Sequence, residues 1–377
     1  MSASHERALE ALFRRGRLRE LEAAIGADFT SNDYLGLAGS PELQRAVMAA
    51  LARGVPVGAG GSRLLRGNHA EHEALEAEAA RFFSAESALF FGGGFVANTA
   101  IFATLPARGD LIVYDELIHA SAHDGMRLSK AEAVSARHND ATSFDEAIKA
   151  WRTSGGTGRV WIAVESLYSM DGDKAPLAAL AEAANRHEAM LVIDEAHATG
   201  VFGPDGRGLG AALEGRPNII SLHTCGKALG VMGALVLCPR VVRDFLVNRA
   251  RSFIYATAPS PLVAAAVRAA LEICAAQGGR REELHKHIAF AGGLLRDRLC
   301  IEPSGSQIQP IIVGSDTRAV ALARAIRERG FDVRAIRPPT VPEGTARLRI
   351  TLTLNTDEAA VAALIDALAE EYARIAA

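Results

Sequence analysis

The sequence predicts an α/β protein whose larger part is a mostly parallel sheet covered by helices on both faces. From residue 73 onward, short apolar runs alternate with helix-like stretches, a pattern typical of βαβ units. Hydrophobic residues make up 49% of the 377 residues, which is enough for such a core. The length favours one large and one smaller domain. The runs predicted as strands are 88–91, 111–114, 160–164, 190–193 and 219–222.

The segments before this sheet are predicted to be mainly helical. Residues 1–39 are expected to form a helical arm and an extended stretch, and residues 41–53 a helix that begins with proline. The glycine-rich passage 57–68 lacks the spacing of a dinucleotide-binding loop or a P-loop. His69 and His72 follow it without a third metal-ligand candidate. We therefore interpret both as capping or solvent-facing residues.

The composition turns polar around residues 272–285, which predicts a boundary with a smaller C-terminal α+β domain. The predicted limits are 1–39 for the N-terminal helical arm, 40–275 for the large domain and 276–377 for the small domain. The elements expected in the small domain are strand 307–313, helix 317–329, strands 331–336 and 347–352, and a final helix capped by Asn355 or Thr356.

Charge and cysteine content exclude several classes of function. The net charge of −3 gives no electrostatic reason to expect nucleic acid or an anionic membrane as a partner. No apolar run approaches the roughly 20 residues of a membrane span. The four cysteines have no metal-site spacing, so we expect no metal and a reduced, cytoplasmic, soluble protein.

Lys227 is the first candidate for chemistry. It follows one apolar run, 219–222, and precedes another, 233–237, so it is expected at a strand end inside the protein. The other four lysines lie in polar contexts. A buried lysine is costly unless it is paired, deprotonated or used covalently. A Schiff-base lysine that holds pyridoxal phosphate fits this position. A surface lysine in a tight turn is the alternative.

Asp194 and His197 follow the apolar run 190–193. A carboxylate at a strand end fits the protonated ring nitrogen of pyridoxal phosphate, and the histidine fits its ring hydroxyl. The alternatives are a helix cap for Asp194 and a core histidine for His197.

Further polar groups follow other strands. Gly94 and Phe95 open a helix whose backbone N–H groups fit a phosphate, although many glycine-rich turns bind nothing. Thr224 offers a hydroxyl for the same phosphate. His119 follows an acidic strand end and offers a ring that can stack on a flat cofactor. Ser169 is a further candidate in the stretch 165–173.

Eight ordered motifs resemble the α-oxoamine synthases, a group of fold-type I pyridoxal-phosphate enzymes. The resemblance extends from about Ser31 to Thr353. The motifs are SNDYLGL (31–37), GAGGSR (58–63), GFxAN (94–98), HAS (119–121), SMDGD (169–173), DEAHxTG (194–200), TxGK (224–227) and RPPTVPxGTARLR (337–349).

The resemblance implies a role for each matching position around pyridoxal 5′-phosphate. Lys227 would be the Schiff-base lysine and the general base, Asp194 the partner of the ring nitrogen, and His119 the catalytic residue stacked on the ring. The residues implied to bind the cofactor are Gly94, Phe95, His119, Ser169, Asp194, His197, Thr224, Lys227 and Thr257. Thr257 would come from the neighbouring subunit, which implies a homodimer with shared active sites.

Substrate contacts are implied in the same way. Arg349 would bind the amino-acid carboxylate, as a bidentate guanidinium can. Thr340 and His119 would contact substrate, and Arg19 would lie near the acyl chain. The segment before Ser31 is shorter than in the family, so the choice among the N-terminal arginines 14, 15, 17 and 19 stays open.

Two further departures from the family pattern concern single positions. Gly93 replaces a frequent hydroxyl residue, which would remove one phosphate contact. Leu354 and Asn355 replace the usual small residue and histidine.

The last motif is most similar to the biotin-pathway branch of the family. This implies L-alanine and a pimeloyl thioester, carried by CoA or by acyl carrier protein, as substrates. The alternatives within the family use glycine with acetyl-CoA or succinyl-CoA. Outside it, the alternative is a non-catalytic protein that binds pyridoxal phosphate.

Overall fold

The structure is a computed structural model that describes residues 2–376, with side chains described for residues 4–374. Its contacts group into two compact units. The sheet unit comprises Leu35–Tyr168 and Lys174–Arg281, and the terminal unit comprises Met1–Tyr34, Ser169–Asp173 and Glu282–Ala377. The domain limits 1–39, 40–275 and 276–377 stay a prediction.

Thirteen α-helices are assigned within residues 2–376. They are α1 (Ser2–Arg14), α2 (Pro41–Ala52), α3 (Ala70–Phe83), α4 (Gly94–Thr104), α5 (Ala120–Leu128), α6 (Ala141–Thr153), α7 (Leu177–Arg186), α8 (Arg240–Arg249), α9 (Arg251–Ile254), α10 (Pro261–Ala276), α11 (Gly278–Leu299), α12 (Asp316–Glu328) and α13 (Glu358–Ala376).

Twelve strands are assigned in the same part of the chain. They are β1 (Ala27–Asp28), β2 (Ser87–Phe91), β3 (Leu111–Asp115), β4 (Glu132–Ala136), β5 (Val160–Glu165), β6 (Met190–Asp194), β7 (Ile219–Thr224), β8 (Ala234–Cys238), β9 (Ile308–Gly314), β10 (Phe331–Asp332), β11 (Arg334–Ile336) and β12 (Ala346–Thr351).

The sheet unit is built on a seven-stranded sheet with the order β2-β8-β7-β6-β5-β3-β4. Strand β8 runs antiparallel to both of its neighbours, β2 and β7, and the other six strands share one direction. Strands β5, β6 and β7 are buried at every residue, as expected for central strands with helices on both faces. One apolar cluster packs α4 and α5 against one face, and a second packs α6 and α7 against the other. The carboxyl ends of the central strands therefore share one edge.

The terminal unit contains a three-stranded antiparallel sheet with the order β11-β12-β9. Its second, two-stranded sheet pairs β1 with β10 in parallel. This pairing is the reason that the segment up to Tyr34 groups with the C-terminal part of the chain. Gly26 precedes β1 with φ +72°, and a Cβ there would lie 2.1 Å from the Gly330 carbonyl oxygen.

Three local predictions are corrected by the structure. The strand predicted over 331–336 is interrupted at Val333 and forms β10 and β11. The Asp357 carboxylate, and not Asn355 or Thr356, accepts the Ala360 N–H at the start of α13. His69 and His72 both cap α3, as predicted, but His72 is not solvent-facing. It is buried, and its Nε2 lies 2.7 Å from the Pro259 carbonyl oxygen.

Within residues 2–376, no single helix has both the length and the apolar composition needed to cross a membrane. The bent pair α10 and α11 meets these two criteria only when the helices are counted together.

Candidate functional site

Asp194 is the last residue of β6 and is almost completely buried, with 7% of its surface exposed. Its Oδ2 accepts a hydrogen bond from Nδ2 of Asn98 at 2.7 Å, and its Oδ1 accepts one from the Ala196 N–H at 2.9 Å. Each oxygen has a second lone pair for another donor. The carboxylate is therefore fixed in orientation and can still accept a further N–H.

Lys227 lies in the tight connection between the antiparallel strands β7 and β8. The Cys225 N–H donates to the Gly233 carbonyl at 2.8 Å, and the Val231 N–H to the Cys225 carbonyl at 2.8 Å, so the connection is closed by backbone hydrogen bonds. Lys227 is half-buried, and its Nζ lies 2.7 Å from Nε2 of His197. The amine is thus held at the edge of the sheet rather than in solvent.

His119 is the N-cap residue of α5, and its imidazole accepts the Ser121 N–H through Nδ1 at 3.2 Å. Burial lowers the pKa of His119 below its usual value; the Asp194 carboxylate opposes this shift and the positive charge of Lys227 adds to it. A neutral imidazole at pH 7 follows. The ring centroid lies 6.5 Å from that of Phe95, in an edge-to-face arrangement.

The N-terminus of α4 forms a further part of the site. The helix begins at Gly94, and its first backbone N–H groups have no partner within the helix. A Cβ on Gly94 would lie 3.6 Å from Oγ1 of Thr224. A helix N-terminus beside a hydroxyl group is a favourable site for an anion such as phosphate.

These groups line one cavity of about 170 Å³ in the sheet unit. It contains a primary amine, a fixed carboxylate, two imidazoles and a helix N-terminus. The set fits the carbonyl, ring nitrogen, ring hydroxyl and phosphate of pyridoxal 5′-phosphate. The cavity is lined by Gly94, Phe95, Asn98, His119, Ser121, Glu165, Asp194, Ala196, His197, Leu222, Thr224 and Lys227.

Seven of the predicted site residues thus line the cavity, and five lie elsewhere. Thr257 is exposed in the loop between α9 and α10, where the next residue, Ala258, donates its N–H to the Gly61 carbonyl. Ser169, Arg19, Thr340 and Arg349 belong to the terminal unit.

Arg349 lies on β12 and is buried, with 8% of its surface exposed. Its Nε donates to the Ser169 carbonyl at 2.6 Å, Nη1 to Oγ1 of Thr351 at 2.9 Å and Nη2 to Oδ1 of Asn32 at 3.0 Å. A guanidinium has five N–H groups, so these three bonds leave one on each terminal nitrogen. Within the described residues, no carboxylate lies in salt-bridge range of Arg349, and a carboxylate ligand would supply both acceptors.

The N-terminal arginines differ in their contacts. Arg17 donates to Asp316 and to Glu343, each at 2.7 Å, so its charge is already compensated. Arg19 has a long contact of 3.4 Å from Nη2 to Oγ1 of Thr340. Of these two, Arg19 is the one that keeps donors for a ligand.

Three polar cavity residues received no role from sequence reasoning: Asn98, Ser121 and Glu165. Asn98 lies four residues after Gly94, one helical turn further along α4, and Ser121 lies two residues after His119. Both belong to quoted motifs, so their positions were visible in the sequence. Their hydrogen-bond partners were not, because Asp194 is 96 residues away from Asn98.

Comparison with known proteins identifies the family of this chain. The profile of the family "Aminotransferase class I and II" matches residues 24–368. An 8-amino-7-oxononanoate synthase from Chromobacterium violaceum is 45% identical over 340 residues, which cover 90% of this chain and 87% of the relative.

Two solved structures have a fold similar to that of this chain. An 8-amino-7-oxononanoate synthase from Francisella tularensis superimposes with a TM-score of 0.78 at 28% identity, covering 93% of this chain and 98% of the other. A structure of SPT with a pyridoxal-phosphate internal aldimine gives a TM-score of 0.86 at 27% identity, covering 92% and 87%.

The predicted fold type and cofactor are confirmed by these relationships: the chain has the fold-type I architecture and uses pyridoxal 5′-phosphate. The prediction of the biotin-pathway branch is confirmed as well, and the chain is an acyltransferase-type enzyme. It belongs to the aminotransferase class I and II family and, within it, to the 8-amino-7-oxononanoate synthases.

Proposed function

We propose that this chain joins L-alanine to a pimeloyl thioester with loss of CO2. In this reaction Cα of alanine forms a bond to the thioester carbonyl carbon, the carrier thiol leaves, and the alanine carboxyl group departs as CO2. The product would be 8-amino-7-oxononanoate, the compound named by the relatives. The observation that carries the proposal is the cavity where Lys227, His197, Asp194 and His119 converge.

Pyridoxal phosphate, when bound, supplies an electron sink for the bond cleavages at Cα. Lys227 would hold the cofactor and, once released from it, remove and return the proton at Cα. Asp194 would keep the ring nitrogen protonated, which the fixed orientation of its carboxyl group suits. His119 would stack on the ring, and His197 would donate to the ring hydroxyl, with Ser169 nearby.

The phosphate would be bound at the start of α4 by Gly94 and Phe95, together with Thr224. Arg349 would hold the substrate carboxylate with its two remaining N–H groups, and a bidentate pair would fix the orientation of the amino acid. Arg19 and Thr340 would contact the acyl substrate; their mutual 3.4 Å contact supports a shared role.

The test is a product assay with defined substrate pairs. L-Alanine with pimeloyl-CoA or pimeloyl-acyl carrier protein should give the amino-oxo acid and CO2 in equal amounts. Glycine with acetyl-CoA or succinyl-CoA should react far more slowly. A faster reaction with either glycine pair would leave the family assignment intact and refute the substrate proposal. Absence of turnover with every pair would favour a non-catalytic protein that binds the cofactor.

We also propose that the protein works as a cytoplasmic homodimer with shared sites. Its four cysteines are free, as is usual in a reducing compartment. Thr257 is exposed outside the cavity and would reach the cofactor phosphate of the neighbouring subunit. Thr257→Ala should then weaken cofactor binding.

Hybrid dimers test the sharing directly. A dimer of one Lys227→Ala chain and one Thr257→Ala chain contains one intact site if Thr257 acts in the partner's site. Such hybrids should recover about half of the wild-type turnover. If Thr257 acts within its own chain, no site is intact, and at limiting cofactor the hybrid should show no more than half the turnover of the Thr257→Ala homodimer.

A further inference from the structure

Asn98 occupies a buried position between two polar groups of the cavity. Its Nδ2 donates to Oδ2 of Asp194 at 2.7 Å and to Oγ of Ser121 at 3.0 Å. An amide N–H group can only donate, so the Asp194 carboxyl oxygen and the Ser121 hydroxyl oxygen both act as acceptors toward Asn98. Both N–H groups of the amide are then used, and the orientation of the Asn98 side chain is fixed.

The direction of the next hydrogen bond follows from this one. Because Oγ of Ser121 accepts from Asn98, its own proton is free to point to Nδ1 of His119, 2.8 Å away. The Ser121 backbone N–H, which can only donate, also points to Nδ1 at 3.2 Å. Two donors thus face the same ring nitrogen, which must be an acceptor.

We propose that Asn98 and Ser121 are positioning residues that hold neutral His119 as its Nε2–H tautomer and couple its ring orientation to the Asp194 carboxylate. The coupling deepens the proposed function, because His119 and Asp194 are the groups proposed to meet the cofactor ring. The side-chain amide of Asn98 would thus orient both groups, Asp194 directly and His119 through Ser121. The low pKa of His119, caused first by burial, supports the neutral form.

The two arms of the network have different consequences. The bond from Asn98 to Asp194 stabilises the carboxylate that would face the ring nitrogen, so its loss should weaken cofactor binding. The hydroxyl and the backbone N–H of Ser121 both favour an unprotonated Nδ1. Loss of the hydroxyl leaves only the longer backbone bond, so the population of the Nδ1–H tautomer should increase. A residue that merely filled space in the core would affect stability and neither of these properties.

The tautomer of the wild-type protein is the first measurement. Histidine is labelled with ¹⁵N, and the His119 resonances are identified by their absence in His119→Gln. We expect an unprotonated Nδ1 and a protonated Nε2, with and without pyridoxal 5′-phosphate. A protonated Nδ1, or equal amounts of both tautomers, overturns the proposal. This result does not depend on substrate identity, so it is separate from a failure of the proposed function.

Two variants test the coupling. Asn98→Ala should raise the dissociation constant for pyridoxal 5′-phosphate about tenfold, the loss expected for one hydrogen bond to a charged group, and should shift the tautomer. Ser121→Ala should shift the tautomer and leave the dissociation constant near that of the wild type. Ser121→Thr keeps the hydroxyl and should therefore show the wild-type tautomer. The double variant should show no larger tautomer shift than Ser121→Ala.

Thr99→Ala is the matched control on the same helix. The Thr99 hydroxyl donates to the Phe95 carbonyl within α4, outside the network. This variant should change neither the tautomer nor the dissociation constant. Equal effects of Thr99→Ala and Asn98→Ala, or an unchanged dissociation constant in folded Asn98→Ala, would overturn the coupling.

Discussion

Charged groups are accommodated differently at the edge of the seven-stranded sheet and on strand β12 of the terminal unit. At the sheet edge, Asp194 accepts N–H groups, and Lys227 meets the imidazole of His197 at 2.7 Å. On β12, Arg347 is paired with Asp171, whereas Arg349, two residues further, has only neutral oxygens as partners. Both arginines are buried.

The presence or absence of a counter-ion within the protein distinguishes charged residues that stabilise the fold from charged residues that bind a ligand. A buried charge that has a counter-ion inside the protein is neutralised before any ligand binds. A buried guanidinium bonded only to neutral groups gains much more from an incoming carboxylate. Arg347 therefore is expected to be structural, and Arg349 to bind substrate. The predictions below test this distinction, starting with the largest expected effect.

Lys227→Ala should give the largest loss, because no other group in the cavity can replace the amine. We expect turnover to fall by at least ~1,000-fold, in line with the loss of a general base, and borohydride to fix no cofactor to the protein. The measurement is product formation together with the mass of the reduced protein. Lys286→Ala, an exposed lysine beside Glu283, is the control and should behave as the wild type. Full activity of Lys227→Ala would refute the role of this lysine.

Arg349→Lys should reduce kcat/KM for L-alanine by about a hundredfold, because an ammonium keeps the charge and loses the two-pronged donor geometry. Steady-state kinetics at saturating thioester measure this effect. Lysine can keep only part of the three hydrogen bonds of Arg349, so the kinetics are compared on protein shown by its unfolding midpoint to be folded. Unchanged kcat/KM would show that the two remaining N–H groups do not bind substrate.

Arg347→Gln should reduce stability and leave the alanine kinetics nearly unchanged. It leaves Asp171 without its partner, so the free energy of unfolding should fall by about 1–3 kcal/mol; the loss is limited because the Asp171 side chain is 30% exposed. Urea denaturation measures the stability, and alanine kinetics of the folded fraction should stay near wild type. If Arg347→Gln impaired catalysis more than stability, the distinction between the two arginines would fail.

His72 extends the comparison to a group that is buried without a charge. Burial lowers its pKa, and the Pro259 carbonyl partly opposes the shift. The unfolded chain therefore binds a proton near pH 6.5 that the folded chain does not, so stability is lost as the pH falls below that value. We expect His72 to account for about 1 kcal/mol between pH 7.5 and 5.5.

Urea denaturation at both pH values measures this effect. His72→Gln keeps an N–H donor and cannot titrate, so its stability should vary less with pH than that of the wild type. Other histidines with lowered pKa values, His119 and His123, contribute equally to both proteins. An unchanged pH dependence in His72→Gln would contradict the prediction.

Much of the larger sheet and seven of the residues that line the cavity could be predicted from the sequence. Strand β6 is a continuous apolar run, and Asp194 ends it; parallel strands bring such ends to one edge. Lys227 was identified in the same way, because it follows the apolar run that forms β7. The capping role predicted for His72 is confirmed, but its burial was not predicted, because a histidine at a helix start gives no local sign that a carbonyl 187 residues away will cover it.

The cap of α13 was misassigned. Asn355, Thr356 and Asp357 are all favourable cap residues, so local chemistry alone did not decide between them. The backbone path after β12 selects Asp357. The break at Val333 likewise depends on two different strand partners, β1 for β10 and β12 for β11.

The sequence by itself determined five of the seven strands of the larger sheet (β2, β3, β5, β6 and β7), the residues that end the central strands and the motifs that identify the family. These features are local, because hydrophobic periodicity and strand-end chemistry are properties of neighbouring residues. The tertiary structure alone decided which polar groups meet: Asn98 with Asp194 and Ser121, and Arg349 with Ser169 and Asn32. Hydrogen-bond partners 23 to 317 residues apart carry no local signal, since only the packed fold brings them together.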